Sequence, residues 1–529
     1  MPSEEQSLLA EIDSLLAAGS VAEAVALSEA ALSGGIVDPF LFHLVAWDKA
    51  RQRDFEGANQ LLQRGLAGAP DDPNLLLGLA TLLRMQGRVE GALEVLDAML
   101  VTWPDNPQVH LEAGFTHEFG GALEVAARCY RRAVALDPGL AAGVAGLASV
   151  LARLGNVAEA RVQVALALRL DPGNVTAQIA LARCDLEARK PEEALATLAA
   201  LGSRAEIGVE DSILVHGLEG DALGQLGRCD EAFAAYAASK ALFAQTHGVP
   251  TQREFVERIL AAVEAAPAPV KTGSSSAPIR GHTFLLGFPR SGTTLVENIL
   301  AAAPGVIAIE ERPTLRSADI AFLSDNDGMA ALARASEAEL DDHRTAYWER
   351  AAHFGGDLTG KLLVDMDPLK GIKLPLIARL FPEARIIFMQ RDPREVVWSC
   401  FKTSFAPTAA AREFTTLEET ARHYDAIMRL TKASLARFPL AVHRLRYDQL
   451  VSDFDDETKA LCVFLDIEWT PALREFASVA ERRGVATASV SQVRRGLYDG
   501  TGQWRKYAAQ MEDVMPILLP WVERFGFSP

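Results

Sequence analysis

The chain has 529 residues, too many for one hydrophobic core, so we expect two to four domains. Its hydrophobic fraction of 49% and charged fraction of 23% are typical of a globular protein in water. The net charge is -18 at pH 7, and the acidic excess falls almost entirely before residue 266. Such an acidic N-terminal half argues against nucleic acid as a partner, because that binding depends on neutralising phosphates.

The first residues, "MPSEEQSLLAEIDSLL", are acidic and lack the basic start and apolar centre of a signal peptide. No apolar run approaches the ~20 residues of a membrane-spanning helix, so we expect a cytoplasmic protein without a membrane span. The five cysteines form no C-x-x-C pair and the ten histidines show no ligand spacing, so we expect no disulfide framework and no metal. Buried apolar positions are expected for Cys129, Cys184, Cys229, Cys400 and Cys462.

A 34-residue period runs through the first half of the chain. Alanine recurs at this interval at Ala24, Ala58, Ala92, Ala126, Ala160 and Ala194. The same period relates Gly87, Gly121 and Gly155, and also Pro70, Pro104, Pro138 and Pro172. Each unit holds two amphipathic segments, with the glycine at the turn between them and the proline after the second. The pattern predicts a series of helical hairpins.

This period and pattern resemble the tetratricopeptide repeat. The resemblance implies a right-handed all-α solenoid with a concave groove over residues 1–262, with a further, shifted unit around Ala232. We expect the groove to dock a protein or peptide, and the other interpretation is that the repeats support the C-terminal domain or mediate self-association. Residues 263–281 are rich in proline, serine and glycine, which predicts a linker or an ordered connector lying on a domain surface.

From residue 282 to residue 529 the pattern changes to short apolar strands that alternate with helices. The strands are predicted at 282–288, 305–311, 384–390 and 441–447. This alternation predicts an α/β, P-loop-like domain with a central parallel sheet. Each strand ends in polar residues, and parallel strands bring their carboxyl ends to one edge, where such sheets bind ligands.

The segment "GFPRSGTT" follows the first of these strands and precedes a helix predicted from about Thr293 to Ala303. Gly287 and Gly292 allow tight turns, the amides that open the helix point at an anion, and Arg290 adds a positive fork. A P-loop kinase would have lysine where this chain has Thr293. The expected ligand is therefore a 5′-phosphate that carries a group less charged than a polyphosphate.

A second element suits another phosphate. "RIIFMQRDPREVVWSCF" places Arg391 at a strand end and Ser399 about two helical turns along the next helix. Such a pair can bind one further phosphate of the same nucleotide, and a pair of surface residues without a ligand is the other interpretation.

Together, "GFPRSGTTL" and "RIIFMQRDPREVVWS" resemble the 5′-phosphosulfate loop and the 3′-phosphate motif of sulfotransferases. The resemblance covers about 282–529 and is to bacterial sulfotransferases fused to tetratricopeptide repeats, and through them to tyrosylprotein sulfotransferases. It implies the donor 3′-phosphoadenosine 5′-phosphosulfate (PAPS) and the product adenosine 3′,5′-bisphosphate. It also implies an acceptor hydroxyl on a tyrosine, sugar or lipid that the repeats recruit.

Residue roles follow from the same resemblance. The 5′-phosphosulfate is assigned to Arg290, Ser291, Gly292, Thr293 and Thr294, and the 3′-phosphate to Arg391 and Ser399. In "VIAIEERP" the catalytic base falls on Glu311, with Glu310 beside it, and a solvated strand end is the other interpretation of the pair. Ser489 matches a serine that stabilises the transition state, and Tyr447 matches a tyrosine near the adenine.

These roles imply an in-line transfer without a metal. Glu311 would remove the proton of the acceptor hydroxyl, and Arg290 would stabilise the growing negative charge. We expect Glu311 to end a strand adjacent to the one that carries the loop, with Arg290 near enough to keep it ionised. His353 and His423 could lie near the site, but surface or core positions are favoured.

One position departs from the resemblance. Related sequences have a lysine that stabilises the transferring group where this chain, in "VDMDPLKGIKLP", has Met366. Lys370 or Lys373 would have to replace that lysine from a nearby turn. The alternatives are a slow enzyme or an inactive nucleotide-binding scaffold.

Overall fold

A computed structural model describes residues 4–204, 207–265, 279–325, 327–483, 496–497 and 499–528. The chain forms two compact units, Met1–Cys184 and Asp185–Pro529. Among the described residues, no helix combines the length and apolar composition that a bilayer crossing requires.

The N-terminal half consists of paired helices. They are α1 (Glu4–Ala17), α2 (Val21–Ser33), α3 (Pro39–Arg51), α4 (Phe55–Gly68), α5 (Pro73–Met85), α6 (Val89–Thr102), α7 (Pro107–Phe119), α8 (Leu123–Leu136), α9 (Ala141–Arg153), α10 (Val157–Leu170), α11 (Val175–Glu187), α12 (Pro191–Gly202), α13 (Val209–Gln225), α14 (Cys229–Thr246) and α15 (Arg253–Ala265).

The periodic residues explain why this sequence forms hairpins. The glycines at the turns adopt positive φ angles, 75° at Gly87 and 80° at Gly121, which glycine accepts without strain. The periodic prolines Pro70 and Pro104 lie in the turns before α5 and α7, and two further prolines, Pro73 and Pro107, open these helices at the first helical position, where no amide donor is needed. The periodic alanines are fully buried, because only a small side chain fits where two helices cross closely. The predicted repeats and the solenoid fold of this half are confirmed.

The second unit is built on a five-stranded sheet in which every strand pair is parallel. Its order is β2-β3-β1-β4-β5. The strands are β1 (Gly281–Leu286), β2 (Val306–Glu310), β3 (Leu362–Met366), β4 (Arg385–Gln390) and β5 (Ala441–Arg446). The predicted α/β domain with a central parallel sheet is confirmed, but sequence analysis missed β3. Glu311 was therefore wrongly placed, because β3 separates its strand, β2, from the loop strand β1.

Helices surround this sheet. They are α16 (Thr293–Ala301), α17 (Arg316–Phe322), α18 (Gly328–Arg334), α19 (Glu337–Gly355), α20 (Leu374–Leu380), α21 (Pro393–Lys402), α22 (Ala409–Arg412), α23 (Leu417–Arg437), α24 (Tyr447–Ser452), α25 (Phe454–Leu465), α26 (Phe476–Arg483) and α27 (Met515–Arg524).

The core of the second unit begins in the helical hairpins. One hydrophobic cluster joins residues of α13–α15, such as Tyr236 and Ile259, to sheet residues such as Phe284 and to helix α21 through Trp398. The predicted division at 262 and 282 remains a prediction about domains, and most of the predicted linker lies outside the described residues. In terms of packing, however, α13–α15 share a core with the α/β domain.

Candidate functional site

The loop at residues 287–292 joins β1 to α16, and at each of its two ends only glycine fits. A Cβ atom on Gly287 would lie 2.7 Å from Ser291 Oγ and 2.9 Å from the carbonyl oxygen of Met389. Gly292 has a φ of 108°, and its Cβ would lie 2.7 Å from the Tyr447 ring. The loop backbone is thus held in one tight conformation that ends at the N-terminus of α16.

Hydroxyl groups line the start of that helix. Ser291, Thr293 and Thr294 are only 2%, 2% and 5% exposed. Ser291 Oγ accepts a hydrogen bond from the Phe288 amide at 3.3 Å, which fixes the loop from within. Buried hydroxyls at a helix N-terminus form an environment that favours an anion.

Arg290 lies on this loop in an uncommon backbone conformation, with a φ of 70°. Its Nε donates a hydrogen bond to Ser399 Oγ at 3.1 Å, which brings the first sequence motif against the second. Burial, together with the charge of Arg391, lowers the pKa of Arg290 to about 10. A bound anion would offset this repulsion between the two arginines.

Arg391 follows β4 and lies beside the loop that carries Arg290. Its Nη1 and Nη2 donate to the carbonyl oxygens of Arg290 at 2.8 Å and Gly500 at 2.7 Å. Its Nε is buried and has no hydrogen-bond partner among the described residues. The guanidinium carbon lies 4.6 Å from the centroid of the Tyr447 ring. The predicted contacts of Arg391 and Tyr447 with a nucleotide remain predictions, but the two side chains are brought together.

Lys402 completes a cluster of positive charges that sequence analysis missed. Burial is the first cause that lowers its pKa, and Arg290 and Arg391 lower it further, while Asp221 opposes them. Lys402 lies three residues after Ser399 on α21, so both project from neighbouring positions of one helix. This i, i+3 spacing was the signal available in the sequence.

Glu311 lies at the same edge of the sheet, directly after β2. Its φ is 46°, and its amide donates to the carbonyl oxygen of Met366 at 2.8 Å. Desolvation by the surrounding protein raises the pKa of Glu311 to about 7. The negative charges of Asp367 and Glu297 also raise it, whereas the positive charges of Lys370 and Arg312 lower it. The side chain is nevertheless exposed, so we expect water to keep the effective value between the ordinary carboxyl value and 7.

The expectation that Arg290 keeps Glu311 ionised is wrong. Arg290 is not among the charges that act on this carboxyl group, and the pKa is raised rather than lowered. Burial is the first cause of the raised pKa, and the negative charges of Asp367, which follows β3, and of Glu297 on α16 raise it further.

Backbone strain marks two of the predicted catalytic residues. Positive φ angles are uncommon for residues with a side chain and persist only where surrounding structure enforces them. Among the described residues, the non-glycine residues with such angles are Arg53, Arg189, Arg290, Glu311 and Asp466. Arg290 and Glu311 are the two that lie at the carboxyl edge of the sheet beside the loop and β2.

The lysines proposed to replace the missing cation are both engaged. Lys370 is 1% exposed, and its Nζ forms an ion pair with Oδ1 of the buried Asp365. Lys373 Nζ lies 2.6 Å from Asp319 Oδ2. Met366 itself is fully buried at the end of β3. Neither lysine therefore offers an uncommitted charge in this structure.

Glu297 is a second acidic residue of this edge that sequence analysis did not single out. It lies on α16, one turn after the loop, and is fully buried. Its Oε1 accepts from Arg483 Nη2 at 2.8 Å, while Oε2 has no hydrogen-bond partner among the described residues. The same Arg483 atom donates to the Ala308 carbonyl oxygen of β2 at 2.7 Å. An acidic residue within the apolar run "LVENILAAA" was the available signal.

The remaining predicted residues lie elsewhere. Ser489 falls outside the described residues. His353 is exposed at the end of α19, and His423 is fully buried beside Phe288 and Phe414, so both occupy the favoured surface and core positions. The cysteines are free. Cys184, Cys400 and Cys462 are buried as expected, but the expectation is wrong for Cys129 and Cys229, which are only half-buried. Within the described ranges, no three potential ligands are grouped as a metal would need.

Fold and site together define an α/β domain with a glycine loop, buried hydroxyls and three cations at the carboxyl edge of a parallel sheet. Residues 283–471 match the sulfotransferase family, and residues 50–113 and 119–175 match tetratricopeptide repeat families. The chain thus carries tetratricopeptide repeats and, towards its C-terminus, a sulfotransferase-family domain.

Individual relatives are distant. A protein from Aquifex aeolicus is 27% identical over 257 residues, which are 45% of this chain but only 33% of that protein. Protein-tyrosine sulfotransferase 1 from Danio rerio is 24% identical over 260 residues, covering 46% of this chain and 72% of the relative. A sulfotransferase structure from Mycobacterium avium is 12% identical and covers 64% of this chain and 97% of its own, with a TM-score of 0.31.

Proposed function

We propose that this protein is a PAPS-dependent sulfotransferase that moves a sulfuryl group to an acceptor hydroxyl. The observation that carries the proposal is the meeting of the two sequence motifs. Arg290 of the loop contacts Ser399, and Arg391 contacts the loop backbone at Arg290. A nucleotide with separate 5′ and 3′ phosphates needs two anion sites that are held side by side.

The residues present fit such a donor. Three cations, Arg290, Arg391 and Lys402, lie close enough to act on one another's charge. The buried Nε of Arg391 lacks a partner among the described residues, so it is available to a ligand. We assign the 5′-phosphosulfate to the loop residues 290–294, and the 3′-phosphate to Arg391 and Ser399.

The mechanism assigns the chemistry to side chains of this edge. When bound, the donor would supply the sulfuryl group. Glu311 would accept the proton of the acceptor hydroxyl, and a pKa raised towards 7 makes its carboxylate a stronger base at neutral pH. Arg290 would stabilise negative charge that develops on the leaving oxygen. Ser489, predicted to assist there, keeps this role as a prediction.

Calorimetry with adenosine 3′,5′-bisphosphate against ATP tests the donor assignment. We expect the bisphosphate to bind at least tenfold more tightly than ATP, a difference of about 1.4 kcal/mol. Tighter binding of ATP would favour a kinase and refute the assignment. A ³⁵S-labelled donor incubated in a cell extract would then identify the acceptor from the labelled product.

A nucleotide-binding scaffold without turnover is the second candidate. The observation that favours it is the buried Met366, together with the ion pairs that occupy Lys370 and Lys373. Bisphosphate binding without any transfer of label would select this candidate.

The acceptor and the partner remain proposals. The resemblance to protein-tyrosine sulfotransferases supports a tyrosine hydroxyl, and sugars and lipids remain open. Tetratricopeptide repeats support the docking of a protein or peptide that presents the acceptor. The bacterial origin and cytoplasmic location stay predictions from the sequence.

A further inference from the structure

Helix α21 connects the two halves of the proposed donor site. It carries Ser399, which accepts the hydrogen bond of Arg290. One residue later, Cys400 Sγ donates to the carbonyl oxygen of Pro289 at 3.3 Å, also in the loop. A shift of α21 would therefore move the 3′-phosphate residues and the loop relative to one another.

The last helical hairpin packs against this helix. The Phe233 ring stacks on Phe401 at 5.3 Å and on Trp398 at 6.4 Å between centroids. Tyr236 meets Trp398 edge to face at 5.8 Å. Trp398 is also stacked on Tyr507 at 3.8 Å, so it is enclosed from both sides. Aromatic packing of this kind holds the helix in place without contacting the site.

Lys240 of α14 adds a charged contact at the end of the same helix. Thr403 is the C-terminal cap of α21, and Lys240 Nζ donates to its carbonyl oxygen at 2.6 Å. Lys240 is only 6% exposed, and its Nζ lies 5.9 Å from the Phe405 ring centroid. A cation at a helix C-terminus binds unsatisfied carbonyl groups and stabilises the helix dipole.

We propose that the hairpin α13–α14 is a structural part of the donor site, and that Lys240 is a positioning residue that holds α21 in register for the 3′-phosphate. This inference rests on the proposed function. It changes the role of the terminal repeat from docking a partner to fixing the nucleotide site.

The surroundings of Lys240 make its charge sensitive to pH. Burial lowers the pKa of Lys240 to about 8. The side chains around it from α13, α14 and residues 404–411 do not titrate, and they are Ile213, Ser239, Phe243, Ser404, Phe405 and Ala411. The titratable group that faces it from α21 is Cys400, whose pKa is raised to about 12, so the thiol stays neutral. Cys400 is also within range of the charges of Arg290 and Arg391.

The test measures bisphosphate affinity of the full chain by calorimetry from pH 7 to pH 9.5. Lys240→Met keeps the apolar stem and removes the charge. We expect its affinity at pH 7 to fall about tenfold, because a charged hydrogen bond to the helix end is lost. Lys240→Arg keeps its charge throughout and should bind at pH 7 within about twofold of the wild type.

The pH profile separates positioning from simple packing. Above the pKa of Lys240 the amine loses its proton, so wild-type affinity should fall about fivefold more than that of Lys240→Arg by pH 9.5. Lys459→Met, which removes an exposed lysine of α25, is the matched control and should follow the wild type.

Each outcome decides one claim. Wild-type affinity for Lys240→Met, or a wild-type profile parallel to that of Lys240→Arg, overturns the positioning role while leaving the donor assignment intact. If Lys240→Met does not fold, the wild-type and Lys240→Arg profiles still decide. A wild-type protein that binds no bisphosphate refutes the proposed function itself, and the inference with it.

Discussion

Two truncations at different boundaries should behave in opposite ways. Removing residues 1–262 deletes α13 and α14 and most of α15, whereas removing residues 1–184 leaves the second compact unit complete. We expect the shorter deletion to give a folded, bisphosphate-binding protein. The longer deletion should not fold cooperatively, although the sequence suggests a linker just after residue 262.

The magnitude follows from the side chains that the longer deletion uncovers. Trp398 and Phe401 are 1% and 2% exposed, and part of that burial comes from Phe233 and Tyr236. Two aromatic side chains of roughly 200 Å² each, half uncovered, expose about 200 Å² of apolar surface. At about 25 cal/mol per Å² this costs about 5 kcal/mol, before the contacts of α15 with α23 are counted. That loss is as large as the total free energy of unfolding of a marginally stable domain, about 5 kcal/mol.

Urea denaturation followed by tryptophan fluorescence, with near-UV circular dichroism, measures the difference. The 1–184 deletion should show a single cooperative transition, and the 1–262 deletion should show none at 25 °C. A cooperative transition of similar midpoint in both proteins would refute the shared core. If the 1–184 deletion also lacked a cooperative transition, the first unit would be required for folding as well.

Three further predictions concern single residues. Glu311→Gln should leave bisphosphate affinity unchanged and lower turnover about 10²–10⁴-fold; because the base works deprotonated and its pKa is raised, the wild-type rate should rise with pH up to neutrality, and an unchanged rate–pH profile in the variant would exclude Glu311 as base. Arg391→Ala should weaken bisphosphate binding in calorimetry at least tenfold, whereas Arg444→Ala, which changes an exposed residue of β5, should not. Equal affinities of the two variants would remove Arg391 from the donor site. Burial lowers the pKa of His423 to about 3, so below pH 6.5 the unfolded chain binds a proton that the folded chain does not, and the free energy of unfolding decreases as the pH falls. In urea titrations at pH 6, 5 and 4, His423→Leu should reduce this decrease by about 1.4 kcal/mol per pH unit. The same dependence of unfolding free energy on pH in wild type and variant would contradict the prediction.

Strong local patterns made much of the fold predictable. The 34-residue period identified the hairpins because alanine, glycine and proline each have one steric role in a repeat. Four strands were located within a few residues, since apolar runs before polar turns are typical of a buried parallel sheet. Strand β3 was missed because it is five residues long and wholly buried, and such a run cannot be told from a helix segment by periodicity.

The candidate site was predictable only where a motif was contiguous. The loop and the Arg391–Ser399 pair are each read within one stretch of chain. The environment of Glu311 is not, because Glu297 comes from α16, whereas Asp367 and Lys370 come from the turn that follows β3, a strand that was not predicted. The ion pair of Lys373 with Asp319 joins residues 54 apart in the chain, and that of Lys370 with Asp365 depends on the unpredicted strand β3, so the sequence could only propose these lysines as substitutes.

The position of β3 in the sheet also bears on how the chain assembles. During synthesis, β1 and β2 leave the ribosome first, yet neither pairs with the other, because the strand that joins them is made later. Until β3 is synthesised, the edges of β1 and β2 that pair with it in the folded sheet present unpaired amides and carbonyls. Pairing between strands as far apart in the chain as β1 and β3 slows folding and prolongs the exposure of aggregation-prone strand edges. We therefore expect co-translational folding to stall before β3 and the nascent chain to depend on chaperones in that interval.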